Sequence, residues 1–225
     1  MKCMMINIFM SHIIKVCGIQ NEFEALGAVE AGANTIGMLL GVPEFVADKI
    51  TTKKALEIVN SVPQGIRTVM VTHLLDINKI VEIAEYTGVS AIQVHNDLSI
   101  EGMKRLRDIL PNLELIKAIH VIDSSAVQQA KEYEPFSDMI LLDTKSGSRF
   151  GGTGKTHDWN ISQKIVSEVN IPLILAGGLN PGNIVEAVKK VMPFGIDANS
   201  GLEHVDGSKD FEKIRIFTHA GGLLT

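Results

Sequence analysis

This 225-residue chain has few cysteines and lacks long apolar runs, surplus positive charge and interdomain linkers. Its two cysteines, Cys3 and Cys17, cannot build a disulfide framework, so a reducing, cytoplasmic setting is expected. No stretch approaches the roughly 20 apolar residues needed to span a bilayer as a helix, which argues against a membrane partner. The start, with Lys2 and a short apolar run, carries no convincing cleavage site. Lys and Arg number 21 against 26 Asp and Glu, a formal charge of −5 that argues against a nucleic-acid partner. No Pro-, Gly- or Ser-rich linker divides the chain, so one domain over 13–225 is expected, with 1–12 as an N-terminal extension.

What is present is a large apolar fraction, 45%, distributed in alternation. Short β-branched runs at 13–17, 35–39, 66–71, 91–94, 113–118, 139–142, 173–175 and 195–198 read as strands of a buried parallel sheet. Between and after them, 22–31, 52–61, 77–86, 99–110, 124–133, 158–169, 181–191 and 209–218 read as helices. In 181–191 the residues Ile184, Val185, Val188 and Val191 form one apolar stripe at the helical period. Asn180-Pro181 predicts an N-cap with a first-turn proline, and Ser208 a cap for the last helix. Eight β/α units predict an α/β fold, a single (β/α)8 TIM barrel. In that fold the loops after the strands build the active site.

Residues at the predicted strand ends are therefore the candidates. Cys17 closes strand one, although a lone strand-end cysteine is more often a small buried apolar group than a base. Asp143 closes strand six, where turn-forming and catalytic readings weigh evenly. Gln93 and His95 close strand four; a strand-end His there either touches substrate or is held by hydrogen bonds. The turns Ala176-Gly177-Gly178-Leu179-Asn180 and Asn199-Ser200-Gly201-Leu202-Glu203, after strands seven and eight, fit a phosphate pocket at the usual barrel location. Between Asp143 and His157 the chain is Gly-rich and reads as a loop that closes over a ligand. Its Gly154-Lys155-Thr156 lacks the earlier glycine of a P-loop, since Arg149 stands there, so no nucleotide triphosphatase is expected. The seven histidines show no H-x-x-x-H or H-x-H grouping, and no metal is expected.

Taken in order, these motifs resemble the phosphoribosylanthranilate isomerase family of tryptophan biosynthesis over essentially the whole chain. Lys15-Val16-Cys17-Gly18-Ile19 resembles its first strand, Gln93-Val94-His95 its fourth, and Leu141-Leu142-Asp143-Thr144 its sixth. The two Gly turns, with Asp197 in strand eight, complete the series. The resemblance implies an intramolecular oxidoreductase that carries out an Amadori rearrangement of N-(5-phosphoribosyl)anthranilate. It implies Cys17 as general base, Asp143 as general acid, and Gly177, Gly178, Ser200 and Gly201 around the phosphate. Gln93, His95 and Asp197 would contact substrate; a turn-organising role remains open for Asp197. No cofactor is needed, because the substrate nitrogen is the electron sink. The chemistry calls for a thiol pKa moderately lowered and a carboxyl pKa raised.

The family segment Ser-Pro-Arg after strand two, whose Arg meets the anthranilate carboxylate, is replaced here by Leu40-Gly41-Val42-Pro43-Glu44-Phe45-Val46-Ala47-Asp48-Lys49. Lys49 and the loop residue Arg149 are the cations offered in compensation, although neither occupies the matching position. Asn96 follows the strand-four His in place of the family's Gly, and Asn199-Ser200 replaces its Ser pair. Two further readings follow from these departures: a barrel isomerase for another phosphorylated aminosugar, and a non-catalytic homologue that binds a sugar phosphate. A monomer and a homodimer are equally compatible with the sequence.

Overall fold

The computed structural model describes residues 12–146, 149–150 and 156–224. The extension before residue 12 and glycines 151, 152 and 154 therefore lie outside the described residues. His12, expected within the extension, is tied to the barrel floor: its ring Nδ1 lies 3.0 Å from the Phe194 carbonyl, and its own carbonyl accepts from Asn34.

Eight parallel strands close on themselves. They are β1 (Ile13–Val16), β2 (Thr35–Leu39), β3 (Arg67–Thr72), β4 (Ala91–Val94), β5 (Glu114–Val121), β6 (Met139–Ser146), β8 (Leu173–Leu175) and β9 (Gly195–Ala198). The order β5-β4-β3-β2-β1-β9-β8-β6 is completed by β5 pairing with β6, which leaves no edge among the barrel strands. The two-residue β7 (Arg149–Phe150) folds back antiparallel on the end of β6. Helices α1 (Glu22–Glu30), α2 (Thr52–Ser61), α3 (Ile77–Thr87), α4 (Ile100–Ile109), α5 (Ser125–Tyr133), α6 (Trp159–Glu168), α7 (Ile184–Val191) and α8 (Phe211–Ala220) cover the outside.

The strand period of two sorts side chains into two cores. Outward residues such as Val16, Ile36, Ile92 and Ile196 pack with the helices, whereas Ile13, Val69, Ile116, Met139 and Ile174 fill the barrel interior. Helix starts are fixed by polar side chains that accept orphan N–H groups, as Asn21 does from Glu24 and Thr51 from Lys54.

Four sequence expectations for the last two helices are corrected. The seventh helix begins at Ile184, not at Pro181, because the Asn180 side chain accepts the Gly182 N–H at 2.8 Å and turns the chain before it coils. Its buried stripe is Ile184, Ala187, Val188 and Val191, while Val185 is exposed. The last helix is capped by Asp210, which accepts from Glu212 and Lys213, and not by Ser208. Lys209, expected inside that helix, is buried; its ammonium donates to Asn199 and Glu203, both at 2.6 Å.

Candidate active site

Following the inward phase of each strand to its C-terminal end assembles one site. On β1 the inward series Ile13, Lys15, Cys17 ends in the thiol. The series Ala91, Gln93, His95 on β4, Met139, Leu141, Asp143 on β6 and Gly195, Asp197, Asn199 on β9 end likewise at the mouth. These ends open into a cavity of about 740 Å³, within the usual size range for a small-molecule site. All nine residues singled out from the sequence line it: Cys17, Gln93, His95, Asp143, Gly177, Gly178, Asp197, Ser200 and Gly201. In the strand order β9 and β8 lie between β1 and β6, so Cys17 and Asp143 flank the wall that carries Asp197 and the Gly177-Gly178 turn.

That wall is built close to the backbone. Gly177 and Gly178 adopt φ values of 82° and 71°, and a Cβ on Gly177 would collide with the hydroxyl and backbone nitrogen of Thr144. Thr144 is held in turn by His157, whose N–H donates to its hydroxyl at 3.1 Å. A Cβ on Gly201 would strike the Leu179 carbonyl, which fixes the distance between the two turns.

Beneath Cys17 lies a residue that strand-end reasoning missed. Lys15 is fully buried, with its ammonium 2.9 Å from Asp197 Oδ2. It occupies space left by Gly37, where a Cβ would come within 3.0 Å of both Lys15 Nζ and Cys17 Sγ. Burial disfavours the Lys15 charge, but Asp197 and Cys17 outweigh it and hold the ammonium above its usual value. The other carboxylate oxygen of Asp197, Oδ1, is buried without a hydrogen-bond partner among the described residues.

The pKa directions reverse the expectation for the proton-transfer pair. Burial pushes the Cys17 thiol up, and the nearby Lys15 charge, shared with Asp197, pulls back only in part. Burial also pushes Asp143 up, but the His95 hydrogen bond, the His95 and His120 charges and the Thr144 N–H together hold its carboxyl below the ordinary carboxylate value. For Asp197 burial prevails over Lys15 and raises the carboxyl.

Asp143 stands in a histidine cluster. His95 Nε2 is 3.2 Å and His120 Nδ1 4.0 Å from Asp143 Oδ2, and the His73 ring stacks on His95 with centroids 5.2 Å apart. Burial, with His95 and His120 adding to it, pushes His73 down to about 4. Linear spacing carries no sign of this cluster, because its members come from successive strands β3 to β6. The phase would have found them: His73 follows Val69 and Val71, and His120 follows Ile116 and Ala118.

The loop after β2 supplies Phe45, Val46, Ala47 and Asp48 to the cavity, with Phe45 76% exposed. Lys49, which the sequence offered as a compensating cation, pairs instead with Glu44, and neither is among the lining residues. The side chain of Arg149 lies outside the described residues. Asn96 is absorbed by its turn, donating to the carbonyls of His73 and Leu74 and accepting from Leu98. Asn199 donates to Asp48 at 2.8 Å and so ties the β2 loop to the β9 loop.

Comparison with known proteins bears on this site. The family described as N-(5'phosphoribosyl)anthranilate (PRA) isomerase matches residues 14–220. An N-(5'-phosphoribosyl)anthranilate isomerase 2 of Methanosarcina mazei is 41% identical over 208 residues, which cover 92% of each chain. A crystal structure of phosphoribosyl anthranilate isomerase from Thermotoga maritima superposes with a TM-score of 0.84 at 32% identity, covering 94% of this chain and 98% of that one. Another such isomerase, solved in complex with reduced 1-(o-carboxyphenylamino)-1-deoxyribulose 5-phosphate, gives a TM-score of 0.81 at 30% identity, with the same coverage.

Proposed function

The chain belongs to the phosphoribosylanthranilate isomerase family and is an aldose–ketose isomerase of tryptophan biosynthesis, and we propose that Cys17 and Asp143 divide its proton transfers. Asp143 protonates the furanose ring oxygen, which opens the ring to an imine. Cys17 then removes the C2 proton, and the resulting enolamine tautomerises to the ketone. One observation carries this reading: a thiol and a carboxyl, each ending an inward strand series, flank one cavity wall made of two glycine turns.

The surrounding groups fit the same substrate. Backbone at Gly177, Gly178, Ser200 and Gly201 surrounds the phosphate, with no Cβ at the three glycines to keep it away. Asp197 Oδ1, a buried acceptor awaiting a donor, takes a hydrogen bond from the substrate amine or a sugar hydroxyl; leaving such an atom unpaired costs about 1–3 kcal/mol. Gln93 has an equally unpartnered Oε1 and acts beside it. Phe45 and Val46 offer an apolar face to the anthranilate ring. Loss of phosphoribosylanthranilate fluorescence with the purified protein tests the assignment. No turnover by folded protein, or turnover confined to another phosphorylated aminosugar, refutes it.

The pKa directions predict an unusual pH profile. At neutral pH the resting site holds a neutral thiol and an ionised carboxylate. The competent arrangement, thiolate and carboxylic acid, differs by one internal proton, so its share does not change with pH between the two titrations. Lowering the pH through the depressed Asp143 value removes thiolate, and raising it through the elevated Cys17 value removes the acid. After correction for the substrate phosphate, kcat/KM is therefore expected to be flat from roughly pH 5 to 8. Two limbs inside that interval would contradict these protonation states.

A further inference from the structure

We propose that His95, His120 and Asp143 form a binding site for a divalent first-row transition ion, best matched by zinc, and that the bound ion inhibits the isomerase. The inhibitory half rests on the role proposed above for Asp143. One ligand atom from each residue lies within 4.8 Å of the other two. A tetrahedral zinc with N and O ligands at about 2.0–2.1 Å separates them by about 3.3 Å. The observed 3.2 Å from His95 Nε2 to Asp143 Oδ2 already meets this, and the 4.0 Å from His120 Nδ1 needs only a side-chain adjustment.

The ring of His120 is set for such a ligand. Its Nε2 lies 3.1 Å from the His95 carbonyl, and a carbonyl only accepts, so Nε2 carries the proton. The other ring nitrogen, Nδ1, faces Asp143 Oδ2. Donation of the remote ring N–H to a carboxylate, a backbone carbonyl or water is the outer bond that orients metal-bound histidines, and here the His95 carbonyl accepts it. His95 has a comparable partner, with its Nδ1 3.0 Å from the Gln93 amide. Turning that amide brings the presently unpartnered Oε1 onto an Nδ1–H and leaves Nε2 for the ion. Two imidazoles and a carboxylate favour zinc or its neighbours over magnesium and calcium, which take oxygen ligands. Three ligands from adjacent strands leave the fourth position toward the cavity. An ion there holds the Asp143 oxygen and prevents it from delivering a proton.

The test is calorimetric titration of zinc into chelator-stripped full-length protein in a weakly coordinating buffer, without substrate. One ion per chain is expected, with affinity lowered at least about tenfold in His120→Gln and in Asp143→Asn, and unchanged in Cys17→Ser. Zinc is also expected to suppress turnover, and a chelator to restore it. Absence of binding, or binding lost in Cys17→Ser and kept in His120→Gln, overturns the site. Turnover without zinc binding refutes this inference alone, and zinc binding without turnover refutes only the function proposed above.

Discussion

Asp143→Asn is expected to lower kcat by about 10²- to 10⁴-fold, the range that one positioned proton-transfer group contributes, while KM moves little. The substitution keeps the shape of the side chain and an oxygen for the Thr144 N–H, which the carboxylate now accepts at 2.8 Å. It removes the only thing the proposed first step requires, a proton that can be given to the ring oxygen. An amide beside His95 also disturbs the histidine cluster, so circular dichroism and the thermal transition of the variant must match wild type for the kinetics to be read. Activity within tenfold of wild type would mean that another group opens the ring. Asp197 would be the next candidate, as a raised carboxyl lining the same cavity.

Lys15→Met should separate stability from catalysis. Removing one partner of a buried ion pair typically costs about 3–5 kcal/mol, because the other charge is stranded. Here that charge is Asp197, whose carboxyl burial already pushes up. A carboxyl with a folded pKa above its unfolded one destabilises increasingly as pH rises above the unfolded value. The loss measured by urea unfolding is therefore expected to be smaller at pH 5 than at pH 8. Replacing both residues, as Lys15→Met with Asp197→Leu, should recover much of the stability. It should not recover activity, because the thiol has lost the cation that counters its burial and the substrate has lost the acceptor at Asp197. Each unit by which the Cys17 pKa rises lowers the competent thiolate–acid share tenfold. A double variant that is both stable and fully active would remove Lys15 from the account.

Most of the barrel was legible because its signals are local. Parallel strands buried on both faces read as β-branched runs, and the β2, β4, β8 and β9 limits agree with those expected from the sequence. Less legible was whatever depends on carrying a strand's phase past its apolar run. The apolar run of the fifth strand ends at residue 118, two short of His120, because a histidine breaks the apolar pattern without breaking the strand. Lys15 stands out less because it lies inside a family motif, although its place between Ile13 and Cys17 requires it to point inward. The helix starts at Ile184 and Phe211 are less legible because side-chain acceptors compete for the same N–H groups: an Asx turn at Asn180 and a cap at Asp210. The pKa directions of Cys17 and Asp143 needed the tertiary structure, since Lys15, Asp197, His95 and His120 all act on them across strands.

The division of labour between Cys17 and Asp143 is tested most directly with substrate deuterated at C2, comparing the residual turnover of Cys17→Ser and Asp143→Asn. If Cys17 removes the C2 proton, its replacement makes that step rate-limiting, and a full primary isotope effect appears in Cys17→Ser. If Asp143 opens the ring, its replacement slows the earlier step, and the isotope effect is small or absent in Asp143→Asn. The reverse pattern, with the effect in Asp143→Asn and none in Cys17→Ser, would contradict the assignment of base and acid.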